Sequence, residues 1–338
     1  MIFRLSFALL VGLLSGGPVL AVAVEGLYAT EVPVMDRSAA ATERGVVQAL
    51  AVVLVKLTGD SANATAAGAR PLLARARSYA TVVGQAQTGN AIDGYRLRVD
   101  FDPAALAAAL RERGFVLWAK ERPRLQARLV AVDATGQLLA LDAAVLAAFD
   151  QQAALRGLPL ARSSLPVPPT AGETGAWLAE LLDGDSAPAV TAPQFAGVLR
   201  ATPEGQWTAD WRVVIAAQTT AWATSDADPV ALARAGLNRA GDLVAAHYAD
   251  AAIFGGEVAS FSLRVQGLRD AADYGHMLRL LRGMDVVQRL EVAQVSADHV
   301  QLTVNARGGL PALAQSLLLN SQFAPLPNQP SIYQWVTP

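Results

Sequence analysis

The N-terminal third of the chain has the polar and apolar pattern of helices packed on a small sheet. Apolar residues recur every three or four positions over 38–58, which predicts a helix that Gly59 ends in the left-handed conformation. Apolar and charged residues alternate over 94–101, which predicts a strand, and Asp102-Pro103 has the sequence of a helix start. Further strands are predicted over 27–34, 79–87 and 115–118, which gives the order β-α-β-β-α-β.

The C-terminal third predicts the same order. Asp270 and Asp273 have the spacing of a capping box before a helix over 271–282. A hairpin is expected around Ser296-Ala297-Asp298, and a second helix after Gly308-Gly309. Strands are predicted over 261–265, 286–295, 300–306 and 333–336. The order β-α-β-β-α-β is that of ferredoxin-like modules.

The middle of the chain predicts a different arrangement, in which strands and helices alternate as in an α/β layer fold. Three prolines between Ser163 and Gly172 indicate an exposed loop. Strands are predicted over 125–132, 195–201, 206–215 and 219–224, and helices over 142–156, 176–182 and 229–249.

The fold class expected from these patterns is α/β, with two ferredoxin-like modules flanking a central α/β domain. The arginine-rich segment Arg111–Arg128 marks the first boundary and Phe254-Gly255-Gly256 the second. The expected divisions are a signal peptide over 1–23, an N-terminal module over 24–120, a central domain over 121–254 and a C-terminal module over 255–338.

The first 24 residues have the organisation of a secretory signal peptide. Arg4 is the only charge among them, an apolar run covers Leu5–Leu14, and Ala21-Val22-Ala23 supplies the small residues that a signal peptidase recognises. The apolar run is well short of the ~20 residues that span a bilayer, which disfavours the alternative of an uncleaved anchor. We therefore expect export to a bacterial periplasm, cleavage after Ala23 and no transmembrane anchor after cleavage.

Composition excludes several classes of protein. The chain of 338 residues contains no Cys, so it has no disulfide framework, thiolate metal site or cysteine nucleophile. A formal net charge of −2 gives no overall field that would attract nucleic acid. With 53% hydrophobic and 17% charged residues, the chain has the composition of a folded protein rather than a disordered one.

A search for catalytic or ligand-binding motifs predicts no catalytic, cofactor-binding or metal-binding residues. His247, His276 and His299 are not spaced as zinc ligands on a helix, and each is expected to be an ordinary packed or surface residue. No nucleophile elbow or phosphate-binding loop is present. Distant carboxylate pairs stay open as an alternative, because glycosidase carboxylates come from separate parts of a chain.

Three tryptophans and a basic segment are the candidate surfaces for a ligand or partner. Trp207 and Trp211 share one strand face, and Trp222 lies on the next predicted strand. If exposed, they would form a platform for sugars or peptides; burial in the core is the favoured alternative. The arginines within 111–128 are expected to be a solvated edge between domains rather than a binding surface for an anionic polymer.

The segment from Leu27 to Asp60 resembles the opening of the bacterial family catalogued as domain of unknown function 2066. The matching elements are Val32-Pro33-Val34, Arg44 with Ala49-Leu50, and Val53–Gly59. Arg122-Pro123 and Gly157–Leu160 fit the same family, so that the resemblance extends over most of the mature chain. It implies an exported envelope protein of unassigned activity and supplies no catalytic residues.

The expected function is therefore that of a non-enzymatic binding or adaptor protein of the cell envelope. Its partner would be another envelope protein or a wall polymer, and its oligomeric state is left open. One alternative is a hydrolase or binder of cell-wall polysaccharide that uses two carboxylates in one cleft. Another is a small-molecule binding protein with a closed apolar pocket in the central domain.

Overall fold

The structure, a computed structural model, describes residues 21–87, 95–162, 174–183, 192–216, 218–249 and 256–336. Residues 1–20 of the expected signal peptide, the predicted loop Ser163–Gly172, and Phe254-Gly255 of the predicted second boundary lie outside these ranges. None of the helices within them combines the length and hydropathy that crossing a membrane requires.

The N-terminal module is a three-stranded antiparallel sheet covered by a long helix. Strands β2, β4 and β3 lie side by side in that order. The long helix α1 begins after Ser38, whose side chain accepts a hydrogen bond from the Ala41 backbone N–H, and ends at Gly59 with φ of 77°. The elements of the module are β2 (Ala29–Val34), α1 (Ala39–Thr58), α2 (Arg70–Leu73), α3 (Ala76–Tyr79), β3 (Ala80–Gln87), β4 (Tyr95–Phe101) and α4 (Pro103–Glu112).

The strand predicted over 115–118 does not form, and this prediction is wrong. Its four apolar side chains face three different cores. Phe115 and Leu117 pack against the core of the N-terminal module, Val116 against that of the C-terminal module, and Trp118 lies inside that of the central module. A strand presents its residues to two faces only, so this run is a connector, and we call Phe115–Trp118 the hub segment.

The central module is a mixed sheet with helices on both faces. Its strand order is β11-β10-β9-β6-β7, and β8 also pairs with β6. Helices α5 and α7 contribute to the larger core on one face, and α6 packs on the other face through Leu178 and Leu181. The elements are β6 (Leu125–Val132), β7 (Leu138–Leu139), α5 (Ala143–Arg156), β8 (Leu160–Arg162), α6 (Thr174–Asp183), β9 (Gln194–Ala201), β10 (Trp207–Ile215), β11 (Gln218–Asp226) and α7 (Pro229–Tyr248). A separate pair of short antiparallel strands, β1 (Ala21–Ala23) and β5 (Glu121–Pro123), joins the start of the described chain to the end of the hub segment.

The C-terminal module is a five-stranded sheet in the order β13-β14-β12-β16-β15, in which β12 and β16 are parallel. The elements are β12 (Val258–Gln266), α8 (Ala271–Gly283), β13 (Val287–Val295), β14 (His299–Arg307), α9 (Gly309–Leu318), β15 (Phe323–Leu326) and β16 (Gln329–Trp335). Strand β15 was not predicted. The expected mixed α/β class is confirmed.

Candidate functional site

A cleft with a volume of about 560 Å³ lies between the N-terminal and C-terminal modules, along the hub segment. Its walls come from the segment Val24–Tyr28, the hub segment, the turn at Asp285-Val286 and Arg307 at the end of β14. A volume of this size is typical of a ligand site, and sites often form between domains. Among the described residues of the central module, one cavity measures about 20 Å³, and an open depression between α5 and β8 measures about 410 Å³.

The cleft has an apolar wall and charged groups of both signs. The hub segment supplies the apolar part, and the charged lining side chains are Glu25, Arg111, Lys120, Asp285 and Arg307. The Lys120 backbone N–H donates to the Asp285 carboxylate over 2.9 Å, which ties the C-terminal module to the chain between the other two. The Nε of Arg307 is buried without a hydrogen-bond partner among the described residues.

Two titratable groups near the cleft have perturbed pKa values. Burial, and after it the negative charge of Asp285, raise the pKa of Glu121 to about 7. Its Oε2 atom is buried and has no hydrogen-bond partner within the described ranges. Burial and then Asp285 also raise the pKa of Tyr28, against the smaller opposing effects of Arg111 and Arg122. A carboxyl group with a pKa near 7 is suited to accept or donate a proton at neutral pH.

Behind the cleft, the buried side chain of Arg122 joins the N-terminal and central modules. Its guanidinium lies 4.2 Å from the centre of the Trp118 ring and donates only to backbone carbonyl oxygens. These belong to Ala119 at 3.1 Å, Arg156 at 3.2 Å, Gly157 at 2.8 Å and Lys56 at 2.6 Å. Lys56 lies in the last turn of α1, and Arg156-Gly157 ends α5, so one cation satisfies carbonyl groups that two helix ends leave free.

A second buried arginine extends this connection to α7. Arg156 donates to the Gly59 carbonyl, to Asn238 Oδ1 and to Asp242 Oδ1, the last over 2.6 Å. Asp242 also accepts hydrogen bonds from the backbone N–H and the hydroxyl of Ser61. The two arginines therefore fix the ends of α1 and α5 relative to α7, and Arg122 also holds Ala119, a residue of the cleft lining.

The sequence predicted a solvated edge for the arginines within 111–128, and for Arg122 this is wrong because its side chain is 0% exposed. Arg111 and Arg113 are exposed as expected. The preceding Trp118 and the following Pro123 are both buried, and this apolar setting is the one local signal that could have indicated a buried arginine.

The three tryptophans considered as a platform lie away from the cleft. Trp211 is 1% exposed in the central core, stacks on Phe195, and donates from Nε1 to the Thr224 hydroxyl over 2.8 Å. Trp207 and Trp222 are partly buried against the same core, and the Arg239 guanidinium lies 5.1 Å from the Trp222 ring centre. The ring of Trp211 therefore has no free face for a ligand.

The histidines lie apart from one another. His276 is in edge contact with Trp335, His299 pairs with Asp298 at 2.8 Å, and His247 contacts Tyr248. No cluster of three metal-ligating side chains occurs in the described ranges.

Comparison with known proteins gives one family match. Residues 21–119 match the family described as "Domain of unknown function (DUF8605)". The resemblance to domain of unknown function 2066 is therefore wrong, since the matching family is a different one. One element behind that resemblance is Leu57-Thr58-Gly59. These residues end α1 and pack on Trp118, a local role that indicates no particular family.

No curated protein matches the chain at a significant level. A solved structure titled "Crystal structure of uncharacterized protein" is similar at 9% identity and a TM-score of 0.17, covering 37% of this chain and 88% of its own. A similarity at that TM-score carries no argument about fold or function.

Proposed function

We propose that this chain is an exported, non-enzymatic binding protein of the cell envelope and that the cleft between its modules holds its ligand. The observation that carries the proposal is the cleft itself, whose volume of about 560 Å³ and mixed apolar and charged lining suit a small polar ligand. The buried arginines behind it favour a preformed site, which lowers the ordering cost of binding.

The lining favours a ligand with a carboxylate group. Three cationic side chains, those of Arg111, Lys120 and Arg307, outnumber the carboxylates of Glu25 and Asp285. Asp285 already accepts a hydrogen bond from the Lys120 backbone. A peptide segment of a wall polymer or of an envelope protein offers both a carboxylate and apolar surface.

Site-specific photocrosslinking tests this proposal in cells. A crosslinker at Glu25, an exposed residue of the lining, is expected to capture one dominant envelope component, which mass spectrometry identifies. A crosslinker at Met35, which is 89% exposed and outside the lining, is the control.

Equal capture from both positions, or none from Glu25, contradicts the proposal. Binding of the captured component should weaken in Arg111→Gln and stay unchanged in Arg113→Gln, since Arg113 does not line the cleft.

Export and processing are part of the same proposal. Arg4, Leu5–Leu14 and Ala21-Val22-Ala23 support cleavage after Ala23. Cleavage there would remove β1 and leave a new α-amino group on Val24, a lining residue whose backbone N lies 2.9 Å from the Lys120 carbonyl oxygen. Intact-mass measurement on the periplasmic fraction should give a chain that starts at Val24; an unprocessed chain in the membrane fraction contradicts this.

The alternative function is a carboxylate-dependent hydrolase of cell-wall polysaccharide, and one observation favours it. Glu121 and Asp285 interact beside the cleft, and the pKa of Glu121 near 7 is that of a general acid or base. Hydrolysis of wall fragments that is lost in both Glu121→Gln and Asp285→Asn, with binding retained, would establish the enzyme. If the chain binds wall fragments tightly and does not hydrolyse them, the result supports the binding protein instead of the enzyme.

We further propose that the C-terminal module is ferredoxin-like. The order β13-β14-β12, in which both neighbouring pairs are antiparallel, and a helix after each of β12 and β14 support this assignment. The module departs from that fold at β16, which lies parallel to β12, whereas the fourth strand of a ferredoxin-like sheet is antiparallel to the first. In the N-terminal module, β2-β4-β3 corresponds to three of the four strands. A crystal structure of the mature chain tests both assignments.

A further inference from the structure

Strand β11 is an outer strand of the central sheet with an open edge. Among the described residues it pairs only with β10, over a continuous register from Trp207↔Asp226 to Ile215↔Gln218. Its side chains are exposed or partly exposed along its whole length. A row of backbone N–H and C=O groups therefore lies free for pairing along nine residues.

Within the described residues, this edge lacks three of the features that usually prevent strands from pairing between molecules. Its sequence contains no proline, lysine or arginine, and its register has no shift. Strand β13, an outer strand of the C-terminal sheet, differs: it has two register shifts and carries the charged pair Arg289–Glu291. Of these two exposed outer strands, β13 is therefore protected and β11 is not.

The sequence of β11 is nearly symmetric about Trp222. Ala221 matches Ala223, and Thr220 matches Thr224. Further out, Thr219 corresponds to Ser225, and Gln218 to Asp226. An edge with this symmetry is complementary to itself when a second strand runs antiparallel to it.

We propose that a second copy of this chain pairs with this edge, through a two-fold axis at Trp222, to form a homodimer with one continuous sheet. Threonine then faces threonine, and the Gln218 amide faces the Asp226 carboxylate of the other copy, so no like charges oppose each other. The axis is perpendicular to the sheet, so the faces covered by α5 and α7 lie on the same side in both copies. The pairing leaves the cleft between the modules free, and it is independent of the proposed ligand.

The expected association is weak. A strand of nine residues is about 30 Å long, and pairing along it buries less than the ~800 Å² per partner of a standard interface. We therefore expect a dissociation constant of about 10 μM. Sedimentation velocity of the full chain at rising concentration measures it.

Two charged variants test where association occurs. In Ala221→Lys/Ala223→Lys, each new ammonium group faces another across the axis, and we expect association to weaken at least about tenfold. The control is Ala293→Lys on the exposed edge strand β13, which should associate as the unchanged chain does. A chain that stays monomeric at every concentration, or a control that weakens association equally, overturns the proposal.

Cysteine crosslinking tests the register, since the chain itself contains no Cys. In the proposed dimer residue 221 lies opposite residue 223 of the other copy, whereas two residues 221 lie about 8 Å apart, too far for a disulfide. A mixture of Ala221→Cys and Ala223→Cys chains should therefore crosslink, and neither chain alone should do so. Equal crosslinking of a single variant, or none in the mixture while dimers sediment, shows that a different surface or register is used. Circular dichroism of each variant confirms that it is folded.

Discussion

Replacement of Arg122 by methionine is expected to destabilise the junction between the N-terminal and central modules. Methionine is apolar and flexible enough to occupy part of the site, but it donates no hydrogen bond. The carbonyl oxygens of Lys56, Ala119, Arg156 and Gly157, now bonded at 2.6 to 3.2 Å, would lose this donor, and the Arg122 side chain that supplies it is 0% exposed.

The size of the effect follows from these contacts. A buried polar group left without a partner costs about 1–3 kcal/mol, and four carbonyl groups are affected. Part of this loss is offset, because burial disfavours the charged guanidinium and lowers the pKa of Arg122 to about 9. We expect a net loss of about 3–5 kcal/mol in the free energy of unfolding.

Urea unfolding followed by tryptophan fluorescence measures this loss, since Trp118 stacks directly on Arg122. With a slope of about 3 kcal/mol/M, the midpoint should fall by about 1–1.7 M. Arg113→Met is the matched control, because Arg113 is exposed at the end of α4 and its replacement should change stability by less than about 0.5 kcal/mol. A loss below about 1 kcal/mol in Arg122→Met, or an equal loss in the control, would refute the argument.

Two further predictions concern the same junction. Folding raises the pKa of Glu121 from 4.5 to about 7, so the folded chain holds more protons between these values and its melting temperature should fall as the pH rises through them. Glu121→Gln should make the melting temperature less dependent on pH in this range, whereas Glu291→Gln on an exposed strand should leave the dependence unchanged. An unchanged dependence in Glu121→Gln contradicts the argument. Gly59→Ala would bring a methyl group within 2.4 Å of the Ala245 Cβ at a φ of 77°, whereas Gly114 has a φ of 78° and open space around it. Gly59→Ala should therefore cost about 2–4 kcal/mol and Gly114→Ala about 1 kcal/mol in thermal unfolding, and equal losses would show that the contact contributes nothing.

Local sequence patterns predicted the elements whose buried side chains all face a single core. Helix α1 was predicted with Gly59 at its end, and β14 was predicted from the alternation over 300–306. In both cases one periodicity describes all buried positions of the element, so the sequence carries the information locally.

The junction could not be predicted in this way, because its residues serve more than one core. The hub segment has no single period, so a short apolar run was interpreted as a strand. Glu121 was overlooked and Arg122 was predicted to be solvated, because charged residues usually are. Their partners come from distant helix ends and from Asp285. The candidate site therefore depends on tertiary contacts that spacing does not reveal.

The hub segment restricts how the chain can change in length. Each of its four positions belongs to a particular core, so substitution by another apolar residue disturbs one module at a time. A deletion or insertion of one residue would instead shift every side chain towards the wrong module and displace Arg122 from the helix ends that it joins. Relatives that share this junction should vary freely in loop length elsewhere and keep a constant spacing between Gly114 and Arg122.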